Sequence, residues 1–174
     1  MTQDLQSRNI SFFEERTVKW DREHNSIRMI DQTLLPLELR FIECKTVAET
    51  VDAIKTLKVR GAPAIGVTGA MGVALSISKT TARTKQELLR SVESDRNALK
   101  SARPTAINLT WGVDEVLRFV RETFPNNLQG FNYQEKAVSF VERLADEDVE
   151  TNKKLSEKGS RLFRSGDGVL THCN

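Results

Sequence analysis

Only two of the 174 residues are cysteine, Cys44 and Cys173, and they form no Cys-x-x-Cys pair. That excludes a disulfide framework and offers no zinc-site spacing. Net charge is equally scant: 26 Lys and Arg against 24 Asp and Glu leave +2. A strong positive field of the kind that drives general nucleic-acid or membrane-surface binding is therefore excluded. No apolar run approaches the roughly 18 residues that a membrane helix requires, and residues 1–10 contain no hydrophobic signal-peptide region. The nucleotide-binding patterns GxGxxG and GxxxxGK[ST] are both missing. With 39% hydrophobic and 29% charged residues, the chain is ordinary globular material of about one domain's length. A soluble cytoplasmic protein with no nucleic-acid or membrane partner is the expectation.

Residues 17–20 and 27–30 read as short strands around the polar stretch 21–25, and residues 40–44 as a third. Residues 31–36 read as a loop, because Pro36 disfavours helical geometry at Leu35. The pattern then turns helical. Thr46 and Glu49 have capping-box spacing ahead of Val47, Val51, Ile54 and Leu57. Thr84 and Glu87 repeat it ahead of a helix bearing Leu88, Leu89, Val92 and Leu99, and Asn132 with Glu135 opens a long helix with Val138, Val141, Leu144 and Ala145 inward. Residues 125–130 read as a linker. Gly166-Asp-Gly168 predicts a turn and residues 169–173 a strand.

Two further helices begin differently. One follows Arg60-Gly61-Ala62-Pro63 and runs towards Ser78; the other follows Arg103-Pro104 and carries Ile107, Val113, Val116, Leu117 and Val120 inward. Proline suits a first helical turn, whose N–H groups have no partner within the helix. Those free N–H groups and the helix dipole favour an anion, and an arginine adds a forked, permanently charged donor. Gly61 lets backbone approach a ligand without a Cβ in the way. The pattern thus points to a phosphorylated small molecule held between two helix starts; the competing reading pairs both arginines with surface carboxylates.

Gly66, Gly69 and Gly72 recur every third residue. Since each costs up to about 1 kcal/mol of helix propensity, close packing of another backbone is a better explanation than ligand contact. His172 and Cys173 are neighbours on a predicted strand and point to opposite faces, which argues against a thiolate–imidazole pair. By itself Cys173 reads as a small buried apolar residue, and so does Cys44. The acidic run Asp146-Glu147-Asp148 with Glu150 reads as a solvated helix face.

Four segments occur in order: Asp31-Gln-Thr-Leu-Leu-Pro36, Val59-Arg-Gly-Ala-Pro-Ala-Ile-Gly66, Arg103-Pro-Thr-Ala-Ile-Asn-Leu109 and Leu170-Thr-His-Cys-Asn174. Together they resemble the S-methyl-5-thioribose-1-phosphate isomerases, aldose–ketose isomerases of methionine salvage. The wider family includes ribose-1,5-bisphosphate isomerases and the regulatory subunits of translation initiation factor 2B. The resemblance implies substrate-binding roles for Arg60, Gly61, Ala62 and Arg103, and a catalytic role for Cys173. It implies a phosphorylated pentose as substrate, a homodimer for the full-length family, and neither metal nor organic cofactor. Proton transfer and hydride shift between C2 and C1 both remain open.

The resemblance also implies a fold of class α+β: a small N-terminal sheet followed by a helical bundle (residues 1–130), a connecting helix (131–164), and the first strand of a Rossmann-like C-terminal domain (165–174). In the family the catalytic aspartate lies in that second domain, so the 174-residue chain alone is expected to lack turnover. The alternatives are a non-catalytic regulatory or interaction protein, after the manner of the initiation-factor subunits, and a ribose-1,5-bisphosphate isomerase.

Overall fold

A computed structural model describes residues 16–172. Three strands come first, β1 (Val18–Asp21), β2 (Ser26–Ile30) and β3 (Phe41–Cys44), joined as one antiparallel sheet of order β1-β2-β3. Val18 pairs with Met29, Trp20 with Ile27, and Ile27 with Cys44. Directly paired residues share a face and successive residues alternate, so these five line one side. All five are buried. Lys19, Asp21, Ser26, Arg28 and Glu43 occupy the other side by the same register.

Six helices follow: α1 (Val47–Lys55), α2 (Ala62–Ser78), α3 (Lys85–Ser91), α4 (Glu93–Ala102), α5 (Ile107–Thr123) and α6 (Tyr133–Ser160). The predicted capping boxes at Thr46/Glu49 and Thr84/Glu87 are formed in both directions. The Asn132 side chain accepts from the Glu135 N–H, as its spacing predicts. Helix α2 organises the molecule. Every residue from Ile65 through Ile77 is buried, the signature of a helix enclosed on all sides. The inner face of the sheet, α1, α4, α5 and the first half of α6 surround it. The result is a mixed α+β fold: a helical bundle with a small sheet against it. None of the described helices is long and apolar enough to cross a membrane.

Several details depart from the sequence reading. The helix expected from Thr84 to Leu99 is broken at Val92 (φ −91°, ψ 0°) into α3 and α4. Helix α1 ends before Leu57, which adopts φ 62° and is exposed rather than continuing the buried stripe. Residues 125–130 form a turn tied to the start of α3: Leu128 N–H donates to Arg83 O (2.8 Å) and Lys85 N–H to Asn126 O (2.9 Å). The strand expected at 169–173 is not formed over its described part, residues 169–172. A strand needs a neighbour to take its N–H and C=O groups, and Leu170 is 99% exposed.

Candidate functional site: two helix starts at one crossing

Gly61 is the N-cap of α2, at φ +92° and ψ 130°, with Pro63 in the first turn. An L side chain is strained at that φ, and glycine removes the strain. Lacking a side chain, Gly61 gives α2 no side-chain cap; its carbonyl accepts from Ile65 N–H at 2.9 Å. The first N–H groups of α2 therefore remain available to an outside acceptor.

Arg60, just ahead, is exposed. Its backbone carbonyl accepts from the Gln32 side-chain amide (3.3 Å), and the Gln32 N–H donates to Lys58 O (2.9 Å). Asp31, itself buried, accepts from the Thr33 N–H (3.0 Å) and hydroxyl (2.5 Å). The loop after β2 is thus fastened to the approach to α2, so the first two quoted segments adjoin in space. Sequence reasoning gave Gln32 no role of its own. A polar side chain in a loop carries no signal until its partner segment is known.

Arg103 opens a tight turn in which Ala106 N–H donates to Arg103 O at 2.9 Å. Pro104 sits inside that turn, as proline does at the second position of a β-turn, and α5 begins later, at Ile107. The expected placement of Pro104 at the first helical position is therefore corrected. So is the inward placement of Ile107, which is 80% exposed at the first residue of the helix.

The two starts are brought together by glycine. A Cβ on Gly66 would stand 3.0 Å from Asn108 O, and one on Gly112 only 2.1 Å from Gly66 O. The backbones of α2 and α5 therefore touch, and only glycine permits this. Gly66 lies four residues into α2, about 6 Å along its axis, and Asn108 is the second residue of α5. Both helix starts lie about one turn from this single crossing. Gly69 and Gly72 pack on Leu109, Val113 and Leu99, so the three-residue repeat is a packing device. Gly112, its counterpart on α5, was not singled out from sequence.

Neither the Arg60 nor the Arg103 guanidinium makes an ion pair or hydrogen bond with a described residue. The surface-carboxylate reading of these arginines thus finds no partner among the described residues. A cleft of about 550 Å³ flanks the start of α2, bounded by Gly61, Pro63, Ala64, Thr17, Ala145 and Asp148 among others. Burial raises the Asp148 carboxyl above its ordinary value, so this member of the acidic run faces the cleft rather than open solvent. Asp146 behaves as a surface residue, paired with Arg16 at 2.8 Å.

Cys173 lies outside the described residues. Cys44 is a buried free thiol pushed up to about 11 by burial, an inert state for a cysteine and the core role its sequence position suggests.

Residues 58–174 match the model of the initiation factor 2 subunit family. A Methanosarcina acetivorans protein that carries the name methylthioribose-1-phosphate isomerase provisionally is 43% identical over 159 residues, covering 91% of this chain and 44% of its own length. The methylthioribose-1-phosphate isomerase of Thermotoga neapolitana is 37% identical over 159 residues, with the same coverage. Among solved structures, 5-methylthioribose 1-phosphate isomerase from Pyrococcus horikoshii superposes with a TM-score of 0.77 at 36% identity, over 87% of this chain and 41% of that one. The delta subunit of translation initiation factor eIF-2B from A. fulgidus gives 0.76 at 40% identity, over 91% and 45%. The chain thus spans less than half the length of the relatives it matches. On the family match and the shared fold, the chain belongs to the initiation factor 2 subunit family.

Proposed function

We propose that this chain carries the phosphate-binding part of an aldose–ketose isomerase site, whose reaction converts S-methyl-5-thioribose 1-phosphate to S-methyl-5-thioribulose 1-phosphate in methionine salvage. The observation that carries the reading is the pair of arginines, Arg60 just ahead of α2 and Arg103 in the turn that leads into α5, whose guanidinium groups have no ion-pair or hydrogen-bond partner among the described residues, while the two helices they precede share one crossing. The names of the isomerase relatives support the substrate class.

A phosphate on C1 holds the sugar ring closed, so the free aldehyde of ordinary aldose isomerases is not available. The site must grip the phosphate while the ring opens and hydrogen moves between C2 and C1. Arg60 and Arg103 supply charge-assisted hydrogen bonds to the phosphate oxygens. The backbone N–H groups of Gly61 and Ala62 add neutral donors aligned with the α2 dipole. Cys173 acts at the reacting carbons. Residues 165–174 open a second, Rossmann-like domain that completes the site, residues 131–164 connect the two, and the full-length protein is a cytoplasmic homodimer.

Titration calorimetry with S-methyl-5-thioribose 1-phosphate tests this. Binding that is lost in Arg103→Ala and is weaker for ribose 1,5-bisphosphate agrees with the proposal. Turnover by the 174-residue chain alone contradicts the assignment of a partial site. The eIF-2B delta structure, at 40% identity, favours a second reading: a regulatory subunit without chemistry. Copurification with an initiation-factor complex, together with indifference to the sugar phosphate, would establish that reading instead.

A further inference from the structure

On the outer face of the sheet, far along the chain from both arginines, three side chains converge. Asp21 ends β1, His24 sits in the hairpin turn and Glu43 belongs to β3. Asp21 Oδ2 lies 3.0 Å from His24 Nδ1, which lies 3.9 Å from Glu43 Oε1. One ligand atom from each residue falls within 4.8 Å of the other two. We propose that Asp21, His24 and Glu43 form a site for a first-row divalent cation of the Zn²⁺ type, with water completing the shell.

The distances match the chemistry. Zinc binds imidazole nitrogen and carboxylate oxygen at about 2.0–2.2 Å, which sets tetrahedral ligand atoms about 3.3 Å apart. The observed 3.0 and 3.9 Å bracket that value. One nitrogen and two carboxylate oxygens suit zinc better than magnesium, which prefers an oxygen shell and keeps its waters.

Both carboxylates are held in place from behind. Asp21 Oδ1 accepts from the N–H groups of Glu23 (3.0 Å) and His24 (3.1 Å), which leaves Oδ2 towards the imidazole. The Ser26 hydroxyl donates to Glu43 Oε1 at 2.6 Å, and Ser26 is itself fully buried on the paired strand. Outer partners of this kind orient metal ligands and sharpen affinity. Lys45, 3.4 Å from Glu43 Oε2, is a cation with which bound metal would compete.

The test is a Zn²⁺ titration of the metal-free 174-residue chain by calorimetry, with Mg²⁺ as a second titrant. The expected result is one Zn²⁺ per chain, an affinity loss of at least about a hundredfold in His24→Gln and Asp21→Asn, and no loss in Glu23→Gln, on the same turn. Far-ultraviolet circular dichroism, expected to be unchanged in all three variants, keeps the comparison to folded protein. No stoichiometric binding, binding retained in His24→Gln, or equal affinity for Mg²⁺ would each overturn the site.

Discussion

The carbonyl oxygen of Gly66 lies where a Cβ on Gly112 would have to be, 2.1 Å away. Two backbones therefore meet with no side chain between them, and the N-terminal ends of α2 and α5 are placed by that contact. Gly112→Ala should lower stability by more than about 2 kcal/mol, since backbone cannot yield as a side chain does. Gly72→Ala meets only the ends of the Leu99 side chain and should cost less. Thermal unfolding of the two variants side by side checks the order.

Gly61 calls for a different outcome. A Cβ there meets nothing within 4 Å, yet φ is +92°. Gly61→Ala should cost about 1 kcal/mol through backbone strain alone. Because the strain falls on the N-cap of α2, the variant should also lose sugar-phosphate affinity. Calorimetric titration at a temperature where it is fully folded separates the two effects.

Arg22 clasps α6 through Glu142 (2.6 and 2.9 Å), Glu135 (2.9 Å) and Ser139 (3.3 Å). Its hydrogen bond, together with that of Ser139, holds the Glu135 carboxyl below its ordinary value. A carboxyl depressed in the folded state stabilises above its unfolded pKa and loses that contribution as pH falls through its folded pKa. Arg22→Ala should therefore lower stability at pH 6 by about 1 kcal/mol for so exposed a network. The gap from the parent protein should narrow below pH 4. Unfolding curves at both pH values, at low and high salt, check this.

Cys44, buried and pushed up to about 11, should resist iodoacetamide at pH 7.5 in the folded chain and react once it is unfolded. Peptide mapping after a timed pulse reads the modification directly.

What could be read from sequence was local. The capping boxes at Thr46 and Thr84 depend on residues three apart, and the chain alone contains that information. Arg60-Gly61-Ala62-Pro63 marked a helix start for the same reason, and α2 does begin at Ala62, with Gly61 at the N-cap position. Failures arose where a distant partner decides. Gly112 looks like a routine helix interruption until α2 is known to cross it, and Gln32 looks like loop until Lys58 and Arg60 lie beside it. Arg103-Pro104 misled because proline serves a β-turn as well as a first helical turn, and the choice between them rests on the Ala106 hydrogen bond. The break at Val92 has no glycine or proline to announce it.

The central claim is that Arg60 and Arg103 hold one phosphate from two helix starts. A double-mutant cycle on S-methyl-5-thioribose 1-phosphate binding tests it most directly, with Arg60→Ala, Arg103→Ala and the combined variant titrated under identical salt. Since neither guanidinium has an ion-pair partner among the described residues, each single change should leave stability within about 0.5 kcal/mol. Each should also weaken binding, and the two losses should be coupled by about 0.5–3 kcal/mol because they share a ligand. Strictly additive losses, or binding unchanged in either single variant, would contradict a phosphate held jointly by the two helix starts.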